Sequence, residues 1–276
     1  MANKEAVRLV ENKARQLRQN VLQMIGVGKA GHLGGSNSAA EVVAALYFSK
    51  MKLDKTNPKW EGRDRFLLSK GHAALIQYAA LVELGYIPAA EMAKTKALGS
   101  VLQGHPDLLK TPGIEANTGS LGQGLSIACG MAMGLKVDEK SNKVYVLVGD
   151  GELAEGQIWE AAMAASVYKL DNLVAILDKN NLQATGTIVE RFNTNPAAEK
   201  WKAFGWEVIE MDGHNVEEVL DALDKADGVK NKPTMLIAHT VKGKGVDFAE
   251  NNPAYHNGIL TEENYKSALS QVMGVE

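Results

Sequence analysis

Residues 144–182 read VYVLVGDGELAEGQIWEAAMAASVYKLDNLVAILDKNNL, and the fold turns on how this run is parsed. Residues 144–148 are a short apolar run between polar neighbours, the pattern of a strand buried on both faces. Gly149-Asp150-Gly151 stands at its carboxyl end. Residues 155–168 place apolar side chains at helical spacing. Residues 173–177 form a second buried strand that runs out into Asp178-Lys179-Asn180-Asn181-Leu182. In a strand–helix–strand unit the carboxyl ends of both strands open on the same edge of the sheet. Asp150 and Asn180 are therefore expected to meet in space.

One carboxylate, one amide oxygen and one backbone carbonyl make an incomplete oxygen shell. Mg²⁺ suits such a partial set, because it keeps water and takes further ligands from substrate phosphates. The flanking glycines let the backbone turn tightly and approach a phosphate closely. The plainer alternative is an ordinary turn in which Asp150 caps a helix. Gly-Asp-Gly alone favours that alternative; the strand-terminal Asn at this separation favours the cation site.

Gly-Asp-Gly followed about thirty residues later by Asn resembles the thiamine-diphosphate binding motif. The longer stretch GDGELAEGQIWEA resembles the amino-terminal, diphosphate-binding domain of transketolases. The resemblance implies that Asp150, Asn180 and the carbonyl of Leu182 hold a divalent metal, Mg²⁺ with Ca²⁺ or Mn²⁺ as alternatives. That metal bridges the two phosphates of thiamine diphosphate, with Gly149, Gly151 and Glu152 beside the cofactor.

At 276 residues the chain exceeds the commonest domain size of about 100–150 residues, yet one large α/β domain over residues 1–276 accommodates it. A hydrophobic content of 45% supports a full core, and a net charge of −3 argues against a general nucleic-acid or anionic-membrane surface. The single cysteine, Cys129, lies among small residues and reads as a core hydrophobe. Residues 1–19 form a charged amphipathic helix without an apolar signal core, and no stretch approaches the roughly 18 apolar residues of a membrane span. A soluble, cytoplasmic protein is expected.

In chain order, residues 4–27 read as one helix ending at Gly26 and Gly28. KAGHLGGSNS follows, with His32 between glycines and Ser36 or Ser38 as a cap for a helix over 39–48. On local pattern alone, a histidine in a glycine loop is more often exposed filler than a catalyst. A strand over 66–69 leads into Lys70-Gly71-His72 and a helix over 73–84, where helix amides favour an anion; the plainer reading makes Lys70 a solvated charge and His72 a cap. Pro106 restrains His105. Thr118–Gly124 opens a helix to about Lys136, rich in Gly, Ala, Ser and Met. Apolar character all round points to a subunit contact, with an interior core helix as the alternative. Residues 184–196 read as a polar, mobile loop. A helix over 197–204, a strand over 207–211 and a helix over 216–226 follow, with His214 in the cap of the last. A strand over 234–239 precedes Thr240–Gly245, where Lys242 suits an anion. A long loop with Tyr255-His256-Asn257 leads to a final helix over 261–273. This alternation indicates a doubly wound, mainly parallel sheet with helices on both faces.

The resemblance to transketolases extends along the chain through GHLGGS, SKGHAA, QGHP, TGSLGQGL, VKGKGV and YHNG. It implies proton transfer and oxyanion stabilisation mainly by His32 and His256, with His72 and His105 near the cofactor and the donor hydroxyl. Lys70 and Lys242 balance charge near the diphosphate, and Gly119, Ser120 and Leu121 lie beside the cofactor. Glu155 faces its equivalent across a subunit interface, where two carboxyls share protons; equally, it is simply an acid at a helix amino terminus. Leu33 departs from the proline of many relatives, and the loop after Leu182 does not match. The implied reaction is reversible two-carbon ketol transfer between sugar phosphates. It removes and returns a hydroxyl proton, work suited to imidazole. A full transketolase has three domains, and this chain matches the first. It lacks the pyrimidine-binding domain with its activating glutamate and the arginines that grip the sugar phosphate. Its end in a charged helix suggests a natural subunit, paired as a heterotetramer with a second polypeptide carrying the pyrimidine-binding and C-terminal domains. A non-catalytic scaffold subunit, or ketol transfer on a sulfonated or branched sugar, are the alternatives.

Overall fold

A computed structural model describes residues 3–274. Asn3 accepts the amide of Glu5 and starts α1 (Lys4–Ile25), whose Val10, Ala14, Leu17 and Val21 are buried at helical spacing before Gly26 turns the chain with φ of 66°. Then come β1 (Ala30–Gly31), α2 (Leu33–Asn37), α3 (Ala40–Ala45) with a π-helical turn over Leu46–Lys50, and β2 (Arg65–Leu68). A 3₁₀ turn, Gly71–Ala73, leads into α4 (Ala74–Glu83); α5 (Gln123–Val137) and β3 (Val144–Gly149) follow an irregular stretch. The chain continues through α6 (Gly156–Val167), β4 (Leu173–Lys179), the small hairpin β5 (Leu182–Gln183) and β6 (Gly186–Thr187), α7 (Ile188–Arg191) and α8 (Ala197–Ala203). It closes with β7 (Glu207–Asp212), α9 (Val216–Asp227), β8 (Thr234–His239), β9 (Gly258–Ile259) and α10 (Glu262–Met273).

The central sheet has five strands in the order β2-β3-β4-β8-β7, and every neighbouring pair is parallel. Alternate side chains feed two cores, as the two-residue period of a strand demands. Phe66, Tyr145, Leu147, Val174 and Ile176 join the core under α1, α3, α4 and α9. Leu67, Val146, Val148, Ala175 and Leu177 join the one under α5, α6 and α8. The doubly wound, mainly parallel architecture expected from the strand–helix alternation is the one observed. Among the described residues no helix is long and apolar enough to cross a membrane.

Three local expectations are corrected. The helix expected over 39–48 is α3 plus the π turn, and the glycine loop before it contains α2. Neither Ser36 nor Ser38 caps α3; Ser38 donates instead to Asp178, at 2.7 Å. Residues 184–196, expected as a mobile loop, carry the turn and second strand of the β5–β6 hairpin and α7, which starts in a capping box formed by Thr187 and Glu190. Of the two readings of α5, a subunit contact and an interior core helix, one-sided packing goes against the core helix: Leu125, Ala128, Ala132 and Leu135 are buried, while Val137 is 78% exposed.

Because all five strands run the same way, their carboxyl ends deliver Lys70, Asp150, Asn180, His214 and Lys242 to one edge. His32 and His256 reach that edge through the antiparallel pair β1–β9, which sets Gly31 opposite Gly258.

Candidate active site

Gly149 of β3 lies opposite Asp178 of β4, so the residues just beyond, Asp150 and Asn180, emerge side by side. Both are buried. One Asp150 oxygen accepts the Gly151 amide at 2.8 Å, and the other accepts the amide of Asn181. Burial, then the charge of Asp178, push the Asp150 carboxyl up to about 7. A buried carboxylate in that position gains from a cation. Asn180 directs its amide nitrogen to Asp178 at 3.0 Å and accepts the Leu182 amide on its oxygen at 3.1 Å. The Leu182 carbonyl accepts from the Lys242 ammonium at 2.9 Å. Lys242 also stands 2.9 Å from Nδ1 of His256, and burial and then Lys70 lower its pKa to about 8.

A cavity of about 320 Å³ opens here, lined by Lys70, His72, Asp150, Asn180, Leu182 and Lys242 among others. Leu121, Gly149, Gly151, Glu152, Glu155 and His256 also line it; Gly119 and Ser120 do not. A larger cleft, about 490 Å³, lies beside Asp64, Lys143 and Tyr145 at the amino-terminal ends of β2 and β3. Its charges are engaged with one another, as in the 2.5 Å Lys50–Asp224 pair, and none of the expected site residues reaches it.

Three of the four expected histidines form a cluster. Ring centroids are 5.2 Å apart for His32–His72, 5.4 Å for His32–His256 and 4.9 Å for His72–His256. Burial first, then neighbouring lysines and histidines, lower His32 and His256 to about 4 and His72 to about 2. All three rings are thus neutral near pH 7. Nδ1 of His32 is buried with no hydrogen-bond partner. His105 stands on the flank, exposed, over Gly119. A Cβ at Gly119 would come within 2.7 Å of the His105 ring, and one at Gly71 within 2.7 Å of the Gly119 amide. That close stacking holds the His105 ring against the Gly119 backbone.

Several expected roles change. Glu152 lines the cavity, but its carboxylate is taken by Ser69 at 2.5 Å and by the amides of Gly122 at 2.8 Å and Gly149 at 3.0 Å. It holds the turns around the cavity rather than offering a free oxygen to a ligand, and burial raises its pKa. Glu155 is exposed at the amino terminus of α6 without a capping hydrogen bond. His214 does more than sit in a cap: its Nδ1 lies 3.0 Å from Glu41, and its Nε2 accepts the Val241 amide at 2.8 Å. Lys70 is no solvated charge; it is buried, donating to Asp178 and, at 2.7 Å, to the Gly35 carbonyl. Sequence pattern does not single out Asp178. Its one signal is a carboxylate at the end of an apolar strand, two residues before Asn180.

Among the described residues no group of three or more His, Cys, Asp or Glu is arranged to hold a metal. A cation here must use the mixed set of Asp150 carboxylate, Asn180 amide oxygen and Leu182 carbonyl. The fit is good on one observation: the Leu182 carbonyl already receives a cationic group, the Lys242 ammonium.

A doubly wound α/β domain with an acid–amide–carbonyl triad and clustered neutral histidines at its carboxyl edge is the class defined so far. Residues 9–276 match the family model described as the thiamine diphosphate binding domain of transketolase. The chain is 45% identical over 263 residues to the 6-deoxy-6-sulfo-D-fructose transketolase subunit SqwG of Clostridium sp. (strain MSTE9), covering 95% of this chain and 96% of that one. It is 44% identical over 266 residues to an apulose-4-phosphate transketolase subunit of Phocaeicola vulgatus, covering 96% and 94%. The solved transketolase of Leishmania mexicana superposes with a TM-score of 0.90 at 31% identity, covering 100% of this chain and 42% of that chain. The chain belongs to the transketolase family, as its thiamine-diphosphate-binding domain. It spans about two fifths of the length of that solved transketolase, and nearly the whole of the relatives named as subunits.

Proposed function

We propose that this chain is the amino-terminal subunit of a two-polypeptide transketolase. Asp150, the Asn180 amide oxygen and the Leu182 carbonyl would hold Mg²⁺ against the diphosphate of thiamine diphosphate, with Gly149–Gly151 backbone and Lys242 alongside. When bound, the cofactor supplies a carbanion that takes up and passes on a two-carbon ketol unit. The chain's own part is to orient the sugar and move protons. His32 offers an unbonded, buried Nδ1 as acceptor for a hydroxyl proton, and His256 and His72 pack against it. Burial first, and then Lys96, Lys70 and Lys242, hold their pKa values low; an anionic substrate beside those lysines offsets them and raises the pKa values back toward pH 7, where general base catalysis is most effective. The named relatives act on a sulfonated ketose and on apulose 4-phosphate, which supports a ketose with an anionic tail as donor.

The convergence of Asp150, Asn180 and Leu182 on one cavity carries this reading. Calorimetry of the chain with thiamine diphosphate and Mg²⁺ tests it: binding is expected, and Asp150→Ala is expected to abolish its metal dependence. Unaltered metal-dependent affinity in that variant removes the site. Ketol transfer is expected only after a second polypeptide carrying the pyrimidine-binding domain is added. An equally active complex with His32 and His256 both replaced by alanine would favour a scaffold role instead. Self-association through α5 and α6 is part of the proposal, supported by their open apolar face.

A further inference from the structure

The carboxylate of Asp178 is 1% exposed and lies behind the cavity rather than in its lining. Four side chains from four separate segments converge on it. Ser38 donates at 2.7 Å and Asn180 at 3.0 Å, and Lys70 and Thr240 donate as well. The Lys70 ammonium and three further donors all point at this one carboxylate, so its oxygens serve only as acceptors. Its backbone cannot move aside, because Asp178 is paired with Gly149 on one side and Ala238 on the other.

We infer that Asp178 is a positioning residue that decides which end of the Asn180 carboxamide faces the cavity. The inference rests on the metal site proposed above. An ionised carboxylate only accepts hydrogen bonds. The Asn180 atom against it must therefore be the amide nitrogen. On the other side, the Leu182 amide donates to the Asn180 oxygen at 3.1 Å, which demands oxygen there. Two constraints of opposite kind fix one orientation. A carbonyl oxygen has two lone pairs, and the Leu182 amide uses one. The second is left for a cation. Without Asp178 only the Leu182 amide opposes the flip that presents NH₂ to the cavity, which repels a metal. Outer partners of this sort are worth about 10–100-fold in metal affinity elsewhere.

The competing role for Asp178 is simply to neutralise Lys70. Exchange of the two residues separates the roles. In Asp178→Asn/Asn180→Asp the pair keeps its charge. The amide at 178 donates to a carboxylate at 180, and both outer atoms at 180 are oxygens, so orientation no longer matters. The probe is Mn²⁺ with thiamine diphosphate, read by the electron paramagnetic resonance signal of free Mn²⁺, with folding checked by circular dichroism. Asp178→Asn alone is expected to weaken Mn²⁺ uptake at least about tenfold, and the exchanged pair to restore it to within about threefold of wild type. An exchanged pair that binds as weakly as the single variant overturns the inference, as does a single variant that binds like wild type. If Asp178→Asn does not fold, the exchanged pair alone decides by the same threshold. A wild-type protein that takes up no Mn²⁺ at any thiamine diphosphate concentration brings down the metal reading, and this inference with it.

Discussion

His32 keeps a neutral ring, with Nδ1 buried and unbonded, only because folding packs it against His72 and His256 under the influence of Lys96 and Lys242. In the unfolded chain the ring titrates normally; in the folded one its pKa falls to about 4. Between those values the unfolded state holds more protons, so stability rises with pH. The contribution is fully present above about pH 6.5 and is lost as the pH falls toward 4. Asp150 pulls the other way, since its carboxyl is raised to about 7. The informative quantity is thus the difference between wild type and His32→Gln in the metal- and cofactor-free protein. Urea unfolding at pH 7.5 and pH 5 is expected to show a smaller acid-induced loss for His32→Gln. The partial exposure of the ring keeps the effect below the roughly 1.4 kcal/mol per pH unit of a fully buried group. Equal losses in both proteins would mean that His32 is not held neutral. Nothing around residue 32 in the sequence discloses this. The glycines flanking His32 suggest backbone pressed against a ligand, whereas what presses on Gly34 is the chain itself: a Cβ there would meet the Lys242 side chain at 3.0 Å and the Tyr255 carbonyl at 3.1 Å. The neighbours that define the histidine come from segments as far as 224 residues away, from His32 to His256.

The elements beneath the site are tied together by one buried network. Arg18 of α1 makes a two-pronged bond to Glu41 of α3, at 2.6 and 2.7 Å, and donates to the Asn37 carbonyl at the end of α2 at 3.0 Å. Glu41 in turn meets His214 before α9, and His214 holds the amide of Val241, next to Lys242. Burial would raise the Glu41 acid, but Arg18 and His214 bring it down to about 2. Removing one partner of such a pair strands a buried charge, which typically costs about 3–5 kcal/mol. Arg18→Met is expected to lose that much in a urea titration followed by circular dichroism; a loss under about 1 kcal/mol would show the network to be dispensable. The helices and strands that carry it were legible from period and punctuation, because α1 and α9 each bury one stripe and β3 and β4 each begin with an apolar run of five residues. The pairings between them were not. A capping Asn and two acids at the start of α9 explain His214 locally without reference to Glu41. The β5–β6 hairpin was equally hidden, since two-residue strands leave no alternation to read.

At the scale of the molecule, the parallel sheet explains why the site is where it is. A strand–helix–strand repeat sends every carboxyl end to one edge, so the placement of Asp150, Asn180 and Lys242 could be read before any contact was known. The same winding leaves α5 and α6 side by side on one face, joined by the Gln123–Gln157 amides at 2.5 Å. Their outer side is unusually apolar: Val137 is 78% exposed, Val167 74%, Tyr168 56% and Met163 50%. Space is open above Gly130 and Gly134, so another helix can approach the backbone of α5 closely. Single exposed apolar residues are ordinary, but a set on adjacent helices with bare glycines between marks a contact surface. A second copy of this chain seated there would also bring Glu155, exposed at the start of α6, toward its own equivalent. Val137→Glu combined with Val167→Lys is expected to turn a dimer into a monomer in sedimentation. Stability should change by no more than about 0.5 kcal/mol, since both side chains lie in solvent within one chain. A wild-type chain that sediments as a monomer, yet loses binding of a second polypeptide when these two valines are replaced, would assign the same face to that polypeptide.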